Sequence, residues 1–365
     1  MATTDTRPTG STSAADAALA DILDEIGVPR PVLTEARNRR DLVLDIAMEH
    51  EAARARYVSG SVAHGTHNRP LEDTDCGIEV DRRVQPFRQF GPDGDGRGPE
   101  EFIQAFATFV LPRLRERGYP HAEVDLTGNR AIRFEFNETV EIDDWGPVDP
   151  YVDLIVGLDR RDGGLWIPNR RRQGWDLADP EHHTWLMTKR DPKALRVLRA
   201  HVVRLGKRAI KRDELMPGRT KVMCSWNVSA LALDVVDDEN PIGVALASFF
   251  AESAASIATG LADDPSPVVT EPIKLPEGVT YAMASERLYE MASVVAAALD
   301  ARSKAGARRE LEALYGPELE AIREREQAQA NRILGSGGAG GAAATLPFVA
   351  PSKRTSSHGS RWYDT

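Results

Sequence analysis

The chain has 365 residues, 41% of them hydrophobic, enough for one large or two ordinary domains with a full apolar core, which excludes disorder throughout. Its formal net charge of -10 supplies no global basic field, so duplex DNA and an anionic membrane are not expected as main partners, and only a local basic groove stays open. Two cysteines, Cys76 and Cys224, with no CxxC spacing, supply neither a disulfide framework nor a structural zinc site and read as reduced thiols.

The N-terminal "MATTDTRPTGSTSAADA" has no apolar signal region, and no run of eighteen apolar residues follows, so a soluble cytoplasmic protein is expected. Residues 1–14 read as a mobile arm. Leu19, Ile22, Leu23 and Ile26 recur at helical spacing over about 15–26, and a second helix is expected over 34–56, delivering the chain to "YVSGSVAHGTHNRPLEDTDCGIEVD". In that stretch a tight turn of small residues, Gly60-Ser61 and then Gly65-Thr66, precedes two acids, Asp73 and Asp75, on what reads as a strand. Residues 84–100 read as a loop and about 99–117 as a helix bending near Pro112. Three strand candidates follow: "HAEVDLTG", "RAIRFEFN" and "YVDLIVGL".

Beyond "IPNRRRQGWDLADPEHHTW" the pattern turns helical, over about 192–211, 222–235, 241–261, 284–301 and 304–329. The "ADDPSPVVTEPIKLPEG" segment is too rich in proline for a helix and is expected to cross the surface. A Gly/Ala tether from about Gly335 leads to a segment in which Leu346, Phe348, Trp362 and Tyr363 are unusual for plain linker. That tail reads either as a disordered end or as a peptide docking on a protein partner. The expected organisation is α+β: an arm (1–14), a mixed core lobe (15–190), a helical lobe (191–333) with a cleft between them, and a tail (334–365).

Residues i and i+2 of a strand share a face, so Asp73 and Asp75 present two carboxylates side by side. About 5 Å apart at an effective dielectric near 20 they repel by roughly 3 kcal/mol, which calls for a cation from elsewhere in the fold or from solution. Oxygen ligands of this kind suit Mg²⁺ or Mn²⁺. Asp153, between Val152 and Leu154, falls on the face opposite the core positions, where an acid is costly unless paired or metal-bound. Three such carboxylates on adjacent strands make a two-metal site. Upstream, Gly60 lets the backbone approach a phosphate, Ser61 adds a hydroxyl and an N–H, and a helix starting near Val62 aims its positive end at anionic oxygens. No P-loop pattern GxxxxGK[ST] occurs, which removes the simple ATPase and GTPase readings. His182 and His183 are adjacent and do not make a zinc pair, no GxSxG elbow supports a hydrolase, and Arg170 to Arg172 read as a solvated basic turn or a phosphate-facing one.

"GSVAHGTHNRPLEDTD" followed by "YVDLIVGL" resembles the polymerase-β-type nucleotidyltransferases, and within them the bacterial CD-NTases, relatives of animal cyclic GMP-AMP synthase. "LWIPNRRRQGWDLADPEHHT", "LRAHVVRLGKRAIKR" and "KVMCSWNVSALAL" extend the resemblance over roughly residues 15–330. It implies a two-lobed nucleotidyltransferase with a mixed sheet and a helical lobe. It also implies that Lys207 grips the triphosphate of an NTP, that Ser225 contacts phosphate and that Trp226 stacks on a base. Read without it, Lys207 is equally a solvated lysine and Trp226 a core residue. Cys76-Gly77 departs from members with a further acid there. The implied activity is Mg²⁺-dependent synthesis of a cyclic di- or trinucleotide messenger in anti-phage defence, read by a separate effector. Transfer of a single NMP to a protein, small molecule or RNA end, and a nucleotide-binding module without turnover, are the competing readings.

Overall fold

A computed structural model describes residues 13–94, 97–142 and 146–335. Most of the expected tail and most of the expected arm lie outside these residues. Helix α1 (Ala14–Glu25) starts at a capping box, in which the Ser13 hydroxyl accepts from Asp16 N and the Asp16 carboxylate accepts from Ser13 N. Helix α2 (Arg30–Ala47) stops nine residues before the expected boundary at 56, and residues 53–59 form a strand, β1 (Ala53–Ser59). The chain folds back where Ala53 N bonds His50 O and Ala52 N bonds the His50 ring. "ARARYVS" then alternates as a strand does, with Tyr57 and Ser59 turned inward.

The short helix α3 (Gly60–His64) and β2 (Asp73–Val80) follow. Helix α4 (Pro99–Glu116) contains Pro112 within its last turns. Strands β3 (Glu123–Asp125), β4 (Ile132–Glu135) and β5 (Tyr151–Asp159) match the three candidates. The hairpin β6 (Leu165–Asn169) and β7 (Gly174–Ala178), and helix α5 (Pro180–Thr188), were not expected from periodicity. Pro168, the arginines and Gly174 mask the strand alternation there.

The seven strands form one mixed sheet in the order β1-β2-β5-β4-β3, with β6 joining the far end of β5 and β7 joining β6. β2 and β5 are parallel and every other pair is antiparallel. One face packs on α2 and α4 through Cys76, Ile78, Phe102, Phe106, Leu154 and Val156. The opposite face carries the acids.

The helical half comprises α6 (Lys193–Arg212), α7 (Ser225–Val235), α8 (Ile242–Thr259), α9 (Tyr281–Leu299) and α10 (Lys304–Gly335), the last interrupted at Tyr315. By length and composition α8 could cross a membrane, but here it lies within the helical core with Phe249 and Phe250 fully buried. The two halves do not divide the chain at one point. The apolar face of α1 and Leu186 and Met187 of α5 belong to the helical core, although their sequence positions precede residue 191.

Arg39, 2% exposed, ties α2 to the chain entering β5. Its guanidinium donates to Glu35, Asp149, Pro150 O and Glu138 O and lies over the Phe136 ring at 4.6 Å. Removing one partner of a buried ionic cluster leaves the others unpaired. Arg39→Ala is therefore expected to cost about 3 kcal/mol of stability in chemical denaturation; a loss under about 0.5 kcal/mol, the level of a surface substitution, would refute this role.

Candidate active site

The parallel register sets Asp75 directly beside Asp153, with Asp73 two residues along β2 on the same face. One oxygen from each of the three carboxylates lies within 4.8 Å of the others, a grouping able to hold a metal ion. Burial raises the pKa of Asp73 and Asp75, and the neighbouring carboxylates raise them further: Asp153 for Asp73, and Asp73 and Asp153 for Asp75. An array of oxygen donors under mutual repulsion suits a hard divalent cation.

Two side-chain cations offset this repulsion. Arg133, paired with Asp153 across β4 and β5, places Nε 3.1 Å from Oδ1 and Nη2 3.3 Å from Oδ2 while stacking 3.9 Å over the Tyr151 ring. The sequence had shown its strand but not its role; its alternation with the buried Ile132 and Phe134 is the signal that places it on the acid face. Lys207 of α6 faces the acids from the helical half. Burial pushes its ammonium down to about 8, against the pull of Asp75 and Asp73.

The small-residue turn fits against the acids without spare room. Gly60 has φ +73°, and a Cβ there would lie 1.8 Å from Asp75 Oδ2. Gly65 closes α3 in the left-handed region at φ +68°, and Thr66 N bonds Ser61 O at 2.8 Å. Thr66 Oγ1 accepts from Lys207 Nζ at 3.2 Å, so the second small pair has a task the sequence had not assigned. Asn68 donates to Arg204 O at 2.8 Å, and Arg208 donates to Arg69 O. The loop between α3 and β2 is thereby knitted to α6.

His64 anchors the other end of this turn. The Thr184 hydroxyl gives its one proton to Val58 O, so it accepts from His64 Nε2 at 3.1 Å. Burial pushes the His64 pKa down to about 3, with Lys207 adding to the effect, and the ring is neutral. At Gly77, where the resemblance had drawn attention to a missing acid, a Cβ would meet the Tyr57 ring at 2.2 Å. The Tyr57 ring fills the room that a side chain would need.

The cleft between the sheet and the helical half has a volume of about 940 Å³. Gly60, Ser61, Asp73, Asp75, Lys207 and Ser225 all line it. Ser225, exposed, is the first residue of α7. Trp226 also lines the cleft and is half-buried. Its Nε1 donates to Asp264 Oδ2 at 3.0 Å, and its ring lies 4.4 Å from that of His183. His183 in turn donates from Nε2 to Asp264 Oδ1 at 2.7 Å. The sequence had dismissed His183 as half of a zinc pair and had not singled out Asp264, which lies in the proline-rich segment. That segment has no helix, as expected, but Val269 to Lys274 wall the cleft. Of the arginine cluster, Arg172 reaches the cleft and pairs with Asp176, whereas Arg170 is 10% exposed beside Glu100.

A mixed sheet with three acids on its open face, a glycine turn against them and a helical half across the cleft is the fold of a polymerase-β-type nucleotidyltransferase. Neither a protein-family model nor a curated protein matches the sequence. Solved structures do match it. The chain is similar to CdnG of Bradyrhizobium diazoefficiens, a CD-NTase in complex with GTP, at a TM-score of 0.62 and 16% identity over 86% of this chain and 98% of that one. It is similar to CdnC of Escherichia coli MS115-1 with ATP, at a TM-score of 0.56 and 15% identity over 83% and 98% of the two chains. It is also similar to Vibrio cholerae DncV cyclic AMP-GMP synthase bound to the linear intermediate pppA(3′,5′)pG, at a TM-score of 0.50 and 14% identity over 84% and 86%. Within its class, this chain has the CD-NTase fold.

Two substitutions test the geometry. Gly60→Ala forces its Cβ onto the Asp75 carboxylate and is expected to weaken Mn²⁺ binding at least tenfold in a titration followed by electron paramagnetic resonance, while the fold persists by circular dichroism. Arg133→Gln removes the bidentate cation from Asp153. Without divalent metal it is expected to lower the melting temperature by several degrees, and saturating Mg²⁺ is expected to recover most of the loss. A metal-independent loss would place the role of Arg133 elsewhere.

Proposed function

We propose that this protein is a nucleotidyltransferase that joins NTPs into a cyclic di- or trinucleotide and releases pyrophosphate. The observation that carries this reading is the three-carboxylate face closed on one side by the Gly60 turn and on the other by Lys207. The similarity to structures solved with GTP, with ATP and with a linear dinucleotide intermediate supports it.

Asp73, Asp75 and Asp153 would hold Mg²⁺, or Mn²⁺, which supplies charge neutralisation at the phosphates and acidification of the attacking hydroxyl. Gly60 lets the backbone approach the donor triphosphate, where the Ser61 N–H and hydroxyl donate to its oxygens. Lys207, already oriented by Thr66, places its ammonium against the same phosphates from α6. Ser225 donates its hydroxyl from the start of α7, and Trp226 offers its ring to a base. Asp153 orients the ribose hydroxyl, whose oxygen attacks the α-phosphorus while its proton passes to solvent, so one P–O bond forms as the bond to pyrophosphate breaks.

At about 940 Å³ the cleft stands near the top of the roughly 300–1,000 Å³ range of sites for single drug-sized ligands. That size accommodates a donor nucleotide with an acceptor, and the similarity to a structure solved with a linear dinucleotide intermediate favours ring formation over transfer of one NMP. A defence context and an effector that responds to the product belong to this reading through the family resemblance alone.

The test is incubation of the purified protein with all four NTPs and Mg²⁺ or Mn²⁺, followed by mass spectrometry of phosphatase-resistant products. A cyclic oligonucleotide is expected, and none from Asp73→Asn/Asp75→Asn. A nucleotide attached to another acceptor instead would replace cyclisation by NMP transfer. Lys207→Met is expected to raise KM for NTP at least tenfold, as loss of a charged hydrogen bond implies; an unchanged KM would remove Lys207 from the triphosphate site.

A further inference from the structure

Residues 262–274 form a strap along the cleft. Its ends meet where Ile273 N donates to Ala262 O at 2.9 Å, and Asn227 Nδ2 ties it to α7 through Lys274 O at 3.1 Å. On the sheet side, Val268 lies so close to Gly164 that a Cβ there would be 2.8 Å away. Asp264, with its side chain 10% exposed, is the polar centre of the strap. Oδ1 accepts from His183 Nε2 at 2.7 Å and from Ser266 N at 2.8 Å, and Oδ2 accepts from Trp226 Nε1 at 3.0 Å.

An indole has one hydrogen-bond donor. Fixing that donor on a carboxylate, with the His183 ring 4.4 Å away, leaves Trp226 one orientation about its side-chain torsions. The carboxylate is itself fixed, because two other donors hold its second oxygen. A platform for a flat ligand gains most from such locking, since an unlocked ring loses its rotational freedom each time it binds.

We propose that Asp264 is the positioning residue of the nucleobase platform, holding Trp226 against the cleft through its indole N–H, with His183 as the brace of that carboxylate. The inference rests on the reading of Trp226 as a base platform. It joins three residues from α5, α7 and the strap into one device that selects for a stacked base, and it leaves the phosphate grip to Lys207 and the Gly60 turn.

The experiment is a double-mutant cycle on the full chain with Asp264→Ala, Trp226→Phe and the pair together. It is read by equilibrium binding of non-hydrolysable ATP and GTP analogues in Mg²⁺ and by inhibition with inorganic tripolyphosphate. Asp264→Ala is expected to weaken the nucleotide analogues about tenfold, within the range of one base–aromatic stack, and to leave tripolyphosphate inhibition within twofold of the parent. In the Trp226→Phe background, where no indole N–H remains, Asp264→Ala is expected to add less than twofold. If the product assay gives turnover, KM rises and kcat stays within about twofold.

Equal losses in both backgrounds, or equal losses for tripolyphosphate and nucleotide, would make Asp264 a pin for the strap alone and overturn the proposal. Should Asp264→Ala fail to fold, Asp264→Asn and His183→Ala keep the test open, the first expected to give a smaller nucleotide-specific loss; affinities unchanged in both would also overturn it. A parent protein that binds no nucleotide in any metal refutes the proposed function itself, whereas a parent that binds nucleotide while the Asp264 variants match it refutes only this inference.

Discussion

Everything around the cleft answers to one electrostatic constraint: Asp75 and Asp153 sit side by side in a parallel pairing, with Asp73 on the same face. Like charges at about 5 Å and an effective dielectric near 20 cost roughly 3 kcal/mol per pair. A fold can carry that load only by bringing cations to the same face. The sheet order places β4 beside β5 so that Arg133 reaches Asp153, and the helical half places α6 across the cleft so that Lys207 faces Asp73 and Asp75. The other face of the same strands is apolar around Cys76, Ile78, Leu154 and Val156, with the buried Thr74 hydroxyl satisfied by Ala36 O and Tyr151 O. Strand period 2 thus separates a dry packing surface from a charged working one.

The glycine turn and the lysine are one mechanical unit. Thr66, Asn68 and Arg69, all in the segment between α3 and β2, bond α6 at Lys207, Arg204 and Arg208, along little more than one of its turns. Arg204 continues the line to Leu23 O of α1. The spacing between the glycine turn and the ammonium is therefore set by a row of hydrogen bonds, and any ligand entering the cleft meets groups already placed. Preorganisation of this kind avoids paying for order at the moment of binding.

Much of this was legible in the sequence, and the reasons differ by residue. Asp73, Asp75 and Asp153 could be read because strand alternation is local: each acid is judged against neighbours one or two positions away. Gly60 was picked out for close backbone approach to a phosphate, and the structure gives it a further constraint, since a Cβ there would meet the Asp75 carboxylate. Lys207, Ser225 and Trp226 had no local signature that distinguishes them from surface or core residues, and only the family resemblance drew attention to them. Asp264 escaped altogether and His183 was noted only to be rejected as a zinc ligand, because their meaning lies in contacts 38 and 81 residues apart in the chain. The first residues of β1, 53–56, were read as a helix continuation because no Gly or Pro interrupts 34–56, and the turn that His50 makes through contacts with Ala52 and Ala53 has no breaker residue to announce it.

The placement of α1 in the helical core bears on how the protein can be made. Its apolar face, with Leu19, Ile22 and Leu23, is completed by α10, and Asp21 pairs with Arg308, 287 positions later. At synthesis rates of about 5–20 residues per second, that partner leaves the ribosome roughly 15–60 s after α1 does. During that interval the sheet can assemble on α2 and α4, whose partners are near in sequence, while α1 holds a bare greasy stripe. The helical half closes only once α10 has emerged, around a helix made 287 positions earlier, and the helical wall of the cleft waits on the same step.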